Sequence, residues 1–200
     1  MASRTEITRA RLQACALELF LARGFDATTV TEIADAAGVS HMTFFRHFPT
    51  KESVLLDDPY DPLVADAVVA QPSDLPTLER VRRGLLAAWS AAPEPVDTET
   101  RARISLIADH PGLRARSWEN TQRTEDVIVT ALTGEGVPRL EARVAAAACL
   151  GAIMAALLDW GSDDAGEPLG ARLASALGQL APPPVDVPPP VDDPPPGDLP

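Results

Sequence analysis

The chain has 200 residues, 46% of them hydrophobic, enough for a packed core in one or two domains. Aromatic residues are only 4%, and two cysteines and 12 glycines exclude a disulfide framework and a collagen repeat. The net charge of −12 looks hostile to nucleic acid, but it is unevenly spread: residues 1–51 carry six cations against five acids, the rest 11 against 24. Cys15 and Cys149 stand singly in apolar, helix-like surroundings without metal spacing, which predicts reduced thiols in an intracellular compartment. Charges every few residues near the start leave no apolar secretory core, so a cytoplasmic protein is expected. The longest apolar run, Val144 to Leu158, spans 15 residues and reads as a buried helix rather than a membrane span.

In chain order, Ile7, Ala10, Ala14, Leu17 and Leu21 repeat at helical spacing, with Gly24 as C-cap, and predict a first helix buried along that stripe. Thr28 or Thr29 caps a short second helix over Val30 to Ala37, and Gly38 breaks it. Ser40 or His41 opens a third, which runs to Phe48 and stops at Pro49. Thr50 caps a fourth helix beginning at Lys51, which Pro59 and Pro62 kink before Leu63 to Ala70. Leu78 to Trp89, Arg101 to Ala108 and Leu113 to Leu132 mark three more helices, ended by Pro93, by Pro111 and by Gly134 with Gly136.

An eighth helix follows Pro138. Its Leu150, Ile153, Met154, Leu157 and Leu158 form one stripe, and Ala145, Ala148, Ala152 and Ala155 a second that suits a close partner helix. Leu169 to Leu180 gives the ninth helix. No alternating strand pattern competes, so the fold class is all-α: a three-helix head over 1–50 and about six further helices over 51–181. Residues 182–199 then read PPPVDV, PPPVDD, PPPGDL, a proline-rich tail over 182–200 expected to be extended and unable to join a bundle.

Function concentrates in VTEIADAAGVSHMTFFRHF, residues 30–48, a short helix, a glycine turn and a second short helix. Ala34 is small where two helices cross, Gly38 allows the tight turn, Val39 plugs it, and Phe44 with Phe48 anchor the second helix at i, i+4. His41, Met42, Phe45 and Arg46 are left to face outward. A Phe beside His and Arg suits sugars and thymine methyls, while Thr43 and His41 suit base edges.

The stretch TEIADAAGVSHMTFFRHFPTKESVL resembles the DNA-binding segment of the TetR family of transcriptional regulators over residues 5–56. The resemblance implies a three-helix DNA-binding domain, an all-α ligand-binding and dimerisation domain, double-stranded operator DNA as partner, and repression relieved by a small molecule. Position by position it implies phosphate or base contacts for Thr29 and Thr31, a recognition helix holding Ser40, His41, Met42, Thr43 and Arg46, a phosphate contact for His47, and a cation next to DNA in Lys51. Phe45 stands where the family commonly has Tyr, so a hydroxyl contact to phosphate is missing. LLDDPYDPL also resembles a subgroup thought to sense acyl-thioester-like ligands.

Beyond the head, Tyr60, Leu86, Trp89, Ile104, Ile107 and Trp118 are candidates to line a pocket for a hydrophobic effector between helices. The homodimer is expected through the eighth and ninth helices. Asp57, Asp58 and Asp61 read as a solvated kink rather than a metal site, and His110 as a helix cap rather than a base. No nucleophile elbow, HExxH, phosphate loop or dinucleotide fingerprint is present, so no catalytic residue, metal or cofactor is expected. The alternative is a helical ligand-binding protein or enzyme in which the helix-turn-helix is only structural.

Overall fold

The computed structural model describes residues 3–57, 61–91, 97–162 and 167–181, apart from the side chains of Asp61, Pro62 and Asp97. All regular structure among them is helical: α1 Arg4–Arg23, α2 Val30–Ala36, α3 His41–His47, α4 Ser53–Leu56, α5 Asp61–Val69, α6 Thr77–Ala91, α7 Asp97–Asp109, α8 Pro111–Gly134, α9 Arg139–Ser162 and α10 Leu169–Gly178. The expected all-α class holds. Seven helices rather than about six follow the head, because the kinked fourth helix is two, α4 and α5. Tyr60 and the tail over 182–200 lie outside the described residues.

Local signals fix the helix ends. Ser3 and Glu6 close a capping box on α1, and Thr29 and Glu32 close another on α2. Gly24 at φ 88° and Gly38 at φ 64° take backbone conformations that a Cβ disfavours. The fourth helix starts two residues later than expected, at Ser53, so its N-cap is Glu52 rather than Thr50, whose hydroxyl accepts the Ser53 amide at 3.2 Å in the turn before it.

Packing corrects the reading of α1. Its buried residues are Leu12, Ala16 and Phe20, whereas Ile7, Ala10, Ala14 and Leu21 of the expected stripe are exposed and Leu17 is half-buried. Two apolar faces run along this helix, and the one carrying Phe20 meets the core. That core joins Ile33 and Ala34 of α2, Phe44 of α3, Phe48, Val54 and Leu55 of α4, and Leu113 from distant α8.

A second cluster unites Val68, Val81 and Leu85 with Ile128 and Leu132 of α8, Ala142 to Leu150 of α9, and Leu177 of α10. A third gathers Ile104, Ala156, Trp160, Leu169 and Leu173. Among the described residues α9 alone is long and apolar enough to cross a membrane, but it packs against α6, α7, α8 and α10 as a core helix. Its second stripe also needs correction: Ala145 is buried and Ala152 packs on the core, so the outward face runs instead through Leu140, Val144, Ala147 and Ala155.

Candidate nucleic-acid interface

The turn between α2 and α3 is held by backbone: the Val39 amide donates to Ala34 O at 2.9 Å and the Gly38 amide to Asp35 O at 3.0 Å. Ser40 caps α3, accepting from the Thr43 amide at 3.1 Å, and its hydroxyl lies 2.9 Å from that of Thr43. Phe44 and Phe48 are fully buried with ring centroids 5.8 Å apart, and Arg9 lies over the Phe48 ring at 4.4 Å. Each buried Phe contributes about 2 kcal/mol of transfer free energy, so this helix is anchored along one face.

The opposite face is open. Met42 is 78% exposed and Phe45 40%, with His41 and Arg46 exposed beside them. The His41 ring meets Phe45 edge-on at 4.7 Å, which makes one continuous outward surface of imidazole, thioether, phenyl ring and guanidinium. Such a surface combines apolar contact with donors suited to base edges and phosphate.

The flanking positions differ in what they have free. Thr31 is exposed. The Thr29 hydroxyl is engaged, donating to Glu32 Oε2 at 2.8 Å and accepting the Glu32 amide at 3.3 Å. The Thr29 amide, which donates to Glu32 Oε2 at 2.9 Å, then the Thr29 hydroxyl and the Arg23 charge hold the Glu32 carboxyl below its ordinary value. His47 is half-buried and its carbonyl accepts from Arg9 Nη1 at 3.2 Å. Burial, then the charges of Arg46 and Arg9, push its imidazole pKa down, which leaves it neutral at pH 7.

Lys51 departs from expectation. It does not open a helix, and its ammonium donates to Phe25 O at 2.8 Å and Thr28 O at 3.0 Å while lying 4.2 Å from the Phe25 ring centroid. Two carbonyls and a ring face turn this cation into the head. It ties the loop before α2 to the strand of chain before α4.

Of the six expected effector residues Tyr60 lies outside the described residues, and the other five are spread over the three apolar clusters and the surface. Leu86 packs on the second cluster, Trp89 and Ile104 on the third, and Ile107 on the head core. Trp118 is 49% exposed on the outside of α8. A small cavity of ≈ 40 Å³ lies between α4 and α8, lined by Thr50, Glu52, Asp57, Arg116 and Asn120 among others, and an open groove of ≈ 560 Å³ lies beside Leu78, Leu140 and Val144; Leu86, Trp89, Ile104, Ile107 and Trp118 line neither.

Sequence reasoning passed over Trp160. It is buried, donates its indole N–H to Glu167 O at 2.7 Å, and carries the Arg101 guanidinium 3.9 Å from its ring. A Trp closing a long apolar helix was the available signal. Asp57 of the expected acidic kink is bound by Arg9 at 2.7 Å, and no metal-type cluster occurs among the described residues.

Comparisons with known proteins agree with this geometry. Residues 14–57 match the family model described as bacterial regulatory proteins, tetR family, and residues 75–184 match the MftR C-terminal domain. The chain belongs to the TetR family.

It is 57% identical over 49 residues to the HTH-type transcriptional regulator TcmR of Streptomyces glaucescens, covering 24% of this chain and 22% of that protein. It is 30% identical over 103 residues to a protein named as the mycofactocin biosynthesis transcriptional regulator MftR of Mycobacterium tuberculosis, covering 51% and 52%. The chain thus spans about half or less of these curated relatives. In fold it is similar to the transcriptional regulator FadR of Bacillus subtilis, solved in complex with stearoyl-CoA, at a TM-score of 0.54 and 19% identity over 86% of this chain and 96% of that one.

Proposed function

We propose that this TetR-family chain is a cytoplasmic, homodimeric transcriptional repressor that binds double-stranded operator DNA and is released by a hydrophobic small molecule. The observation that carries the reading is α3, anchored by Phe44 and Phe48 and presenting His41, Met42, Phe45 and Arg46 to the outside. Thr31 and Thr43 extend that surface, the backbones of Thr29 and Ser40 stand at helix starts, and neutral His47 is suited to donate a hydrogen bond to phosphate.

The two-fold pairing is assigned to α9 and α10. Leu140, Val144, Ala147 and Ala155 face outward on α9, and Ala171, Ala174, Ser175 and Gly178 on α10, a surface with two large apolar side chains whose small positions permit close helix approach. A two-fold dimer reads inverted half-sites, so the operator is a palindrome. Effector binding is assigned to the helices around Trp89 and Ile104, with the break between α4 and α5 as the lever that moves the head.

Electrophoretic mobility shift with the DNA upstream of the chain's own gene tests the reading. The wild-type chain retards a discrete palindromic fragment and the Phe45→Ala, Arg46→Ala double variant does not. Equal retardation by both would remove DNA recognition from this face.

A further inference from the structure

The exposed stripe of α1 is heptad-spaced: Ile7, Ala14 and Leu21 recur every seven residues, and Ala10 and Leu17 follow each of the first two by three. That is the a and d pattern of a coiled-coil seam, on the side of α1 away from Leu12, Ala16 and Phe20. Ile7 and Leu21 are 58% and 57% exposed and Ala10 and Ala14 are exposed between them, while Leu17 is half-buried against the head core. Arg11 and Glu18 flank it on one side, both exposed, and neither has an ion pair among the described residues.

The arrangement is self-complementary when a second α1 lies antiparallel with Ala14 near the crossing. Ile7 and Ala10 of one copy then meet Leu17 and Leu21 of the other, and each Arg11 lies toward the other's Glu18. The small Ala14 permits an interaxial distance at the short end of about 8–10 Å.

We propose that this α1 face is a homotypic docking surface, on which the head of a second copy of the chain packs through an antiparallel α1–α1 contact. It is separate from the α9 and α10 surface and from α3. The seam from Ile7 to Leu21 is about 21 Å long at 1.5 Å per residue, too small to reach the roughly 1,000 Å² of a stable stand-alone interface. It therefore operates between copies already held close, where effective concentration compensates for weak intrinsic affinity.

Cysteine cross-linking of the full chain tests it. Cys15→Ala removes the half-exposed thiol, while Cys149 stays in place because burial pushes its thiol up to about 11 and keeps it unreactive. In that background, Ala14→Cys gives cross-linked pairs with a short bismaleimide. Ile7→Cys alone does not self-link, yet a mixture of Ile7→Cys and Leu21→Cys chains does. Arg11→Glu lowers Ala14→Cys cross-linking about fivefold and adding Glu18→Arg restores it, as expected for two exposed ion pairs made and unmade together. The proposal is overturned if Ala14→Cys links no better than Ala22→Cys, on the same helix but off the seam, if Ile7→Cys self-links, or if the double charge reversal fails to restore the yield.

Discussion

His110 Nε2 lies 3.2 Å from Asp26 Oδ1, a bond across 84 residues that joins the first turn of α8 to the loop between α1 and α2. The other ring nitrogen, Nδ1, accepts the Leu113 amide at 3.1 Å, which places the imidazole proton on Nε2, pointing at the carboxylate. Phe25 meets the same ring edge-on at 5.1 Å. One side chain thus caps a helix of the regulatory part and touches the head.

The two bonds are of unequal weight. Asp26 is 86% exposed in its side chain, so its pairing with His110 is screened, whereas the cap satisfies an amide at a helix start. His110→Ala should destabilise the fold by about 1 kcal/mol and Asp26→Asn by less than about half of that, as read from urea denaturation midpoints. Equal losses would mean that the carboxylate contact, not the cap, holds this junction.

Arg46 and Lys51, both cations beside the proposed DNA surface, should behave oppositely. Arg46→Ala should weaken DNA binding and lower the slope of log affinity against log salt by about one. Lys51→Ala should leave that slope unchanged and instead lower the melting temperature, because its ammonium is committed to the carbonyls of Phe25 and Thr28. A reduced salt slope in the Lys51 variant would place its charge on phosphate after all.

Glu79 gives a pH-dependent test. Arg82 binds both its oxygens at 2.7 Å and Arg83 adds a third bond, and these hold the carboxyl at about 2 against an ordinary 4.5, despite burial acting the other way. A depressed carboxylate stabilises fully above its unfolded pKa and loses that contribution as pH falls through the folded value. Glu79→Gln should therefore cost about 2 kcal/mol at pH 7, and the gap to wild type should close as pH drops from 4.5 toward 2. A gap that persists unchanged in acid would assign the loss to packing.

What the sequence disclosed was local. Gly24, Gly38, Thr29 and Ser40 act on the few residues around them, and their caps and turns fall where spacing put them. Phe44 and Phe48 were legible as anchors because i, i+4 aromatics share a face. The face of α1 was not legible: two apolar stripes compete on that helix, and the choice depends on Phe25, Ile33 and Leu113 arriving from elsewhere. For the same reason nothing near Lys51 announces the Phe25 and Thr28 carbonyls that its ammonium binds, more than 20 residues away. Trp89, Ile107 and Trp118 were apolar and suitably spaced, but periodicity carries no information on which interhelical space each one enters.

Leu113 has no exposed surface, and the residues around it are those of the DNA-binding head. A helix of the C-terminal part thus supplies a plug that the head lacks by itself, with Leu106 and Ile107 of α7 packed alongside. The boundary expected near residue 50 from the sequence is therefore not a seam along which the molecule comes apart. A head transplanted onto another regulatory body would inherit a hole shaped for Leu113, and exchange of such modules between proteins requires that the plug travel with the reader.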